Sequence, residues 1–266
     1  MPIYIGCSGW QYKHWRRAFY PDGVAQRRWL DYYTARFRTV ELNNSFYRLP
    51  EAETFKKWAD STPDDFVMAV KASRYLTHIR RLREPEEPVA RFSERARFLG
   101  GKLGPVLLQL PPNLQKDGPA LHETLSHFDR RIFSLCVEFR HESWFDEEVE
   151  GILEEHGAAL VLADRGSKPI TPVARTTDWG YVRFHWGTGS PESCYGRTAL
   201  ASWAERISGL WGPEEDVFVY FNNDPNGCAL RDASVFAREC EKRDLRPTRV
   251  PGTHDVHLDL VSGRQS

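Results

Sequence analysis

The sequence predicts an α/β fold, a single parallel eight-stranded (β/α)8 barrel with outer helices, from three observations. Its 266 residues match the length of one such barrel, eight apolar runs recur about one βα unit of roughly thirty residues apart, and segments of helical periodicity lie between them. The runs are YIGCS from Tyr4, TVELN from Thr39, FVMAVK from Phe66, VLLQL from Val106, FSLCVEF from Phe133, ALVLAD from Ala159, YVRFHW from Tyr181 and VFVYFNN from Val217. Most are too continuously apolar to have a face in water, as expected of parallel strands covered by helices.

The intervening segments carry helix signals. AQRRWLDYYTARF places Trp29, Tyr33 and Phe37 on one face, and PEAETFKKWAD starts at Pro50 with acidic residues in its first turn. Helices are also expected over 91–99, 121–128, 144–156, 200–210 and 233–240. The sixth crossover, GSKPITPVARTTD, carries two prolines and is expected to be irregular, its helix short or absent. Eight alternations without a composition break favour one barrel domain over residues 1–242, leaving 243–266 as a surface-draped or partly disordered tail.

Composition sets limits. Hydrophobic residues make up 41% and charged residues 27%, which excludes a chain too polar to bury a core. The net charge of −1 removes any whole-molecule argument for a polyanionic partner, although a local basic patch is compatible with it. With no apolar run near the roughly 20 residues of a membrane span and no secretory leader, a cytoplasmic protein with no membrane contact is expected. The five cysteines are odd in number and widely spaced, so buried thiols are expected rather than a disulfide framework or thiolate zinc site.

The polar residues carry the functional signal. A strand buried on both faces should be apolar to its end unless that end has a polar task, and here the polar residues gather at the carboxyl ends. They are Ser8; Glu41, Asn43 and Asn44; Lys71; Gln109; Glu138 and Arg140; Asp164; Arg183 and His185; and Asn222, Asn223 and Asp224. In an α/β barrel that rim is where active sites are built. Singly, each is as readily a turn residue or structural ion pair; together, so many buried charges argue for a shared site.

Two further segments fit an anionic or planar ligand. In SGWQYKHWRRAFYP the rings of Trp10, Tyr12, Trp15, Phe19 and Tyr20 alternate with Lys13, His14, Arg16 and Arg17, suiting a sugar or base beside a phosphate, or a hydrophobic plug under a long loop. Lys71, Arg74, His78, Arg80, Arg81 and Arg83 could receive an anion or form a solvated charged loop. Gly187 and Gly189, after the seventh run, would free backbone N–H groups for a ligand. No nucleotide-cofactor or zinc-protease motif occurs. Glu41, Glu138, His141, His185 and Asp164 offer a mixed donor set for a divalent metal without a spacing signature, so a metal is not favoured. His254 and His257 read as surface-tail residues.

The motifs GCSGWQYKHWRRAFYP, VELNNSFYRLP, DDFVMAVKASRYLTH, KLGPVLLQLPP, EFRHESW, YVRFHWGTGSPESCYG and VYFNNDPNGCA together resemble the YecE-like family, domain of unknown function 72, over residues 3 to about 240. The resemblance implies a TIM barrel without implying a reaction. It points to Trp10, Glu41, Asn43, Phe46, Tyr47, Lys71, His78, Gln109, Glu138, Arg140, His141, Trp144, Arg183, His185, Tyr195, Asn222 and Asn223. The chain departs from the family pattern at Cys7, where Thr is usual, and at Trp186, where Gly usually follows the histidine.

The leading expectation is an enzyme acting on a phosphate-bearing sugar or a nucleic acid by hydrolysis or elimination, nuclease-like in its most specific form. Lys71, Arg140 and Arg183 would hold anionic oxygens, Glu41 and Glu138 would move protons with Lys71 and His185 beside them, and Asn43 and Asn222 would orient the substrate. Trp10, Tyr47, His78, Gln109, Trp144, Tyr195 and Asn223 complete the expected binding set. The alternatives are a neutral-carbohydrate isomerase or glycosidase-like enzyme, with Trp10 and Trp144 as sugar platforms, and a non-catalytic ligand-binding or scaffold barrel. A Schiff base at Lys71 is disfavoured, because a lysine beside a carboxylate stays charged. No protein partner is legible.

Overall fold

Each apolar run becomes a strand in the computed structural model, which describes residues 1–261. The strands are β1 Pro2–Cys7, β2 Thr39–Leu42, β3 Val67–Lys71, β4 Leu103–Gln109, β5 Leu135–Glu138, β6 Ala159–Arg165, β7 Gly180–Trp186 and β8 Val217–Phe221, followed by a short β9, Arg246–Pro247. The helices are α1 Trp29–Thr34, α2 Asn44–Tyr47, α3 Ala52–Asp60, α4 Glu86–Ala96, α5 Gly118–Ser126, α6 Glu147–His156, α7 Arg197–Leu210 and α8 Cys228–Glu241. Their starts follow local chemistry: the carboxylates of Asp117 and Asp146 accept from Ala120 N and Val149 N at 3.1 and 3.0 Å, capping α5 and α6. Among the described residues no helix is long and apolar enough to cross a membrane.

The sheet order is β2-β3-β4-β5-β6-β7-β8-β1-β9, and β1 with β8 and β9, β3 with β4, β4 with β5 and β5 with β6 all pair in parallel. This corrects the closed eight-stranded barrel: the described residues form a sheet of nine strands, and β2 and β9 stand at the ends of its hydrogen-bonded order. The physical reason lies at β1, whose two neighbours in the ladder are β8 and β9. Gly6 of β1 lies so close to Thr39 that an added Cβ would stand 2.4 Å from its carbonyl oxygen, and the Tyr33 hydroxyl bridges the two segments. That hydroxyl accepts from Cys7 N at 3.0 Å and donates to Thr39 O at 3.1 Å. The ninth strand comes from the chain expected only to drape the surface: Arg246 N donates to Met1 O at 3.1 Å, Thr248 N to Ile3 O at 2.8 Å, and Arg249 Nε to Thr34 O and Phe37 O at 3.2 Å each. Residues 262–266 of that expected tail lie outside the described residues.

The irregular sixth crossover is present as expected: among the described residues no helix joins β6 to β7. Threonines satisfy the strand instead. Thr176 Oγ1 accepts from Leu160 N at 2.9 Å and donates to Ala158 O at 2.7 Å, while Thr171 Oγ1 accepts from Ala163 N at 3.0 Å. The short helix α2, absent from the sequence reading, begins at Asn44, where paired asparagines read as a turn.

The chain divides into two compact units, one of Met1–Val40, Ala163–Val173 and Val182–Ser266, the other of Glu41–Leu162 and Ala174–Tyr181. The first has an aromatic core in which Tyr20 stacks on Trp29 and Tyr33 on Phe37, both at 4.5 Å between ring centres. The core of the second includes Phe92, Phe128 and Phe133 in mutual contact.

Three of the five cysteines, Cys7, Cys136 and Cys240, are buried thiols. Cys194 and Cys228 correct the expectation, because they form a disulfide across 34 residues. A close turn makes this pairing possible: Gly187 and Gly189 pack against the Cys194 backbone, where a Cβ would stand 2.2 and 2.8 Å from its carbonyl oxygen. Their N–H groups donate to Ser193 O and Cys194 O at 2.9 and 2.7 Å. These two glycines therefore serve backbone packing, and their amides are not free for a ligand.

Two stability outcomes follow. Tyr33→Phe leaves the Cys7 amide and Thr39 carbonyl without the hydroxyl and should cost about 1–3 kcal/mol in urea unfolding; an unchanged midpoint would show that the bridge is dispensable. Cys228→Ser should lower stability by about 2–4 kcal/mol, as expected for opening a loop of this length, and a reductant should have no further effect on that variant.

Candidate functional site

Strand register builds the densest polar cluster of the second unit. In the parallel ladders Lys71 is paired with Leu107, and Gln109 with Glu138. Because alternate residues share a face, Lys71, Gln109 and Glu138 emerge on one side of β3, β4 and β5, and Arg140 follows two residues beyond Glu138. Lys71 Nζ donates to Gln109 Oε1 at 2.6 Å, Gln109 Nε2 to Glu138 Oε2 at 3.1 Å, and Arg140 Nε to Glu138 Oε1 at 2.5 Å. Glu138 has no exposed surface, so burial of its charge requires these partners. The glutamine amide is oriented by its neighbours, its oxygen toward an ammonium and its nitrogen toward a carboxylate.

The helix α2 adds an aromatic wall. The Ser45 hydroxyl donates to the Lys71 carbonyl at 2.6 Å and fixes α2 on the end of β3, while Phe46 N donates to Asn43 O at 3.1 Å within the turn. This places the Phe46 ring 4.1 Å from Lys71 Nζ, a cation–π contact. Edge to face with Phe46 lies His78, at 4.9 Å between ring centres, on a π-helical turn over Tyr75–Ile79, a geometry frequent at functional sites. Burial, followed by the charges of Lys71, Arg74 and Arg140, pushes the His78 imidazole down to about 4. It is therefore neutral at pH 7 in a region of positive potential. Tyr47 is 74% exposed beside Phe46.

Glu41 is fully buried in β2 and accepts from the Tyr181 hydroxyl at 2.7 Å. Sequence reasoning missed Tyr181, since an aromatic residue opening an apolar run reads as core. His141 has a local role, its Nδ1 accepting from Ser143 N at 3.2 Å. Trp144 is buried to 1% exposure, stacks on Phe139 at 4.9 Å and donates through Nε1 to Leu114 O at 2.7 Å, so it packs the core instead of offering a sugar platform. The basic segment after His78 borders a groove of about 660 Å3, lined by Arg80, Arg81, Arg83 and Lys116 together with Glu84 and Asp117. Arg80 pairs there with Glu84, and Arg81 donates to Asn113 O at 2.6 Å.

In the first unit the expected residues are divided among several tasks. Arg183 is buried in β7, and His185 Nδ1 lies 3.2 Å from Asn222 Nδ2. Tyr195 and Asn223 serve the architecture: the Tyr195 hydroxyl donates to Asp164 Oδ1 at 2.8 Å, and Asn223 Nδ2 donates to Ser193 O at 2.9 Å and Asp232 Oδ2 at 2.7 Å. Asp164 also accepts from Trp203 Nε1 at 2.6 Å. Burial raises Asp164, with the two donors opposing it, and raises Asp232 to about 6. The aromatic loop forms the hydrophobic plug: Trp10, Trp15, Phe19 and Tyr20 are buried. Asp224 anchors it, accepting from Trp15 Nε1 at 2.6 Å and pairing with His14 Nε2 at 2.7 Å.

Among the described residues, the three metal-donor side chains whose ligand atoms lie within 4.8 Å of one another are His122, Glu155 and His156, outside the donor set expected from sequence.

The His78 environment can be checked by NMR titration. Its folded value lies below the unfolded one, so the unfolded chain binds more protons between them; stability is lost as pH falls from about 6.5 to about 4. The ring should titrate near pH 4, and Lys71→Ala should raise that midpoint. An unmoved midpoint would remove Lys71 as a contributor.

Comparison with known proteins bears out the motif resemblance. Residues 4–254 match the family described as "Protein of unknown function DUF72". The UPF0759 protein YunF of Bacillus subtilis is 30% identical over 259 residues, 85% of this chain and 90% of YunF. The UPF0759 protein YecE of Escherichia coli is 31% identical over 176 residues, 63% of this chain and 60% of YecE. The crystal structure of a DUF72 family protein from Thermotoga maritima has a TM-score of 0.76 at 28% identity, covering 91% of this chain and 100% of that one. One from Enterococcus faecalis has a TM-score of 0.75 at 18% identity, covering 94% and 98%, which is likeness of fold.

Proposed function

We propose that the chain, which belongs to the DUF72 family of proteins of unknown function, is an enzyme acting on a phosphate-bearing sugar or a nucleic acid, by hydrolysis or elimination. The observation that carries this reading is the linked series Lys71–Gln109–Glu138–Arg140 at the carboxyl ends of three adjacent strands. Two fixed cations flank one buried carboxylate, an arrangement suited to holding anionic oxygens while a carboxylate handles a proton. The depressed His78 supports it: burial is the larger cause, and the charges of Lys71, Arg74 and Arg140 that add to it would attract an anion. The groove lined by Arg80, Arg81, Arg83 and Lys116 supplies further cationic surface in the same unit.

In this scheme Lys71 and Arg140 bind the phosphate oxygens. Glu138 holds Arg140 directly and Lys71 through Gln109, and with Glu41 is the proton-transfer pair. The exposed Tyr47 ring offers a stacking surface for a base or sugar. Nothing in the proposal requires Arg183, His185 or Asn222, which belong to the other unit. The neutral-sugar alternative is weakened because both of its platforms, Trp10 and Trp144, are buried. The non-catalytic reading keeps one specific support: the side chains of the cluster hydrogen-bond to one another.

Single-stranded, duplex and abasic oligonucleotides and sugar phosphates, tested at low salt with and without divalent metal, separate these readings. Lys71→Ala and Arg140→Ala should each weaken substrate binding about tenfold or more, while Glu138→Gln should cut turnover about a hundredfold or more. Binding without turnover would favour the non-catalytic barrel. Failure of all these ligands to bind at low salt would sink the proposal.

A further inference from the structure

The α5–α6 pair carries a second polar cluster, apart from the strand ends. His122 projects from α5, and Glu155 and His156 end α6. Gly157 follows in the left-handed region at φ 58°, ending the helix at His156. His156 Nε2 lies 3.1 Å from His122 Nδ1, and His122 Nδ1 lies 3.7 Å from Glu155 Oε2. All three donor atoms fall within 4.8 Å of one another.

We propose that His122, His156 and Glu155 form a binding site for a divalent transition ion of the zinc class, clamping α5 to the end of α6. Bonds of about 2.0–2.1 Å to tetrahedral zinc put neighbouring ligand atoms about 3.3 Å apart; the two separations above bracket that value, and the third, within 4.8 Å, closes by a turn of the exposed Glu155 side chain. Two imidazole nitrogens with one carboxylate oxygen suit Zn2+, Co2+, Ni2+ or Cu2+, whereas Ca2+ and Mg2+ prefer all-oxygen sets. His156 is largely buried and held by its helix, while His122 and Glu155 keep side-chain exposures of 47% and 64%. A half-open cluster of this kind admits an ion from solvent and leaves the fourth position to water. The facing nitrogens cannot both carry a proton, and the carboxylate adds a negative charge at the same point. Arg130, whose Nη1 donates to Glu155 O at 2.8 Å, is a neighbouring cation that opposes the ion. Without an ion the pair is a simple hydrogen bond between imidazoles, which is the competing account.

The full chain, without an affinity tag and stripped with a chelator, is titrated with Co2+ and then Zn2+, followed by visible absorption and calorimetry. One equivalent of Co2+ should give a tetrahedral-type band that Zn2+ abolishes, and Zn2+ should raise the thermal midpoint. His122→Ala, at a half-exposed position, and His156→Gln should each weaken binding at least tenfold; Glu155→Gln should weaken it less, and His254→Ala should leave it unchanged. Absence of saturable binding, or unchanged affinity in a correctly folded His122→Ala variant, would overturn the site.

Discussion

A carboxylate with no exposed surface, Glu138, sets the terms for the polar chemistry of the second unit. An ion withdrawn from water must be compensated by its immediate neighbours, and at the end of β5 these include a glutamine from β4 and an arginine two residues further on. Once the glutamine nitrogen is committed to Glu138, its oxygen is free to receive only a donor, and Lys71 supplies one from β3. The lysine in turn lies over Phe46 and adds its charge to the burial that keeps His78 neutral. Register therefore propagates one buried charge into an ordered row of functional groups.

The first unit uses the same residue types for a different purpose. Asp164 accepts from a tyrosine and a tryptophan, Asp232 receives Asn223 and the Tyr195 amide, and Asp224 anchors the aromatic plug. Each arrangement resolves the same desolvation problem by fixing a loop or helix in place. A hydroxyl at Tyr33 joins β1 to the start of β2 in a similar way. Polar residues at strand ends thus brace loops and helices in the first unit and form a linked charged series in the second, and the difference depends on which donors reach them.

Family membership fits this picture without deciding the reaction. A fold shared with solved DUF72 structures fixes where strands end, while the chemistry depends on which side chains stand there and on what they contact. The histidine pair between α5 and α6 lies on the outer helices, so an ion bound there would act on helix packing and leave the strand-end cluster to its own chemistry.

The order of strands and helices was legible in the sequence because burial imposes period and apolarity locally, and even the missing sixth helix was announced by two prolines. Glu41, Lys71, Gln109, Glu138 and Arg140 stood out in the sequence, together with the strand-end residues of the first unit, because polar residues ending apolar runs are conspicuous. Other features depend on meetings between distant residues, to which local pattern is blind. Cys194 meets Cys228, Tyr33 occupies the seam between β1 and β2, residues 246–247 return to add a ninth strand, and Trp144, Tyr195 and Asn223 turn inward to satisfy the core. A side chain's partners are fixed by packing in three dimensions, and partners decide whether a tryptophan or an asparagine faces a ligand or the protein itself.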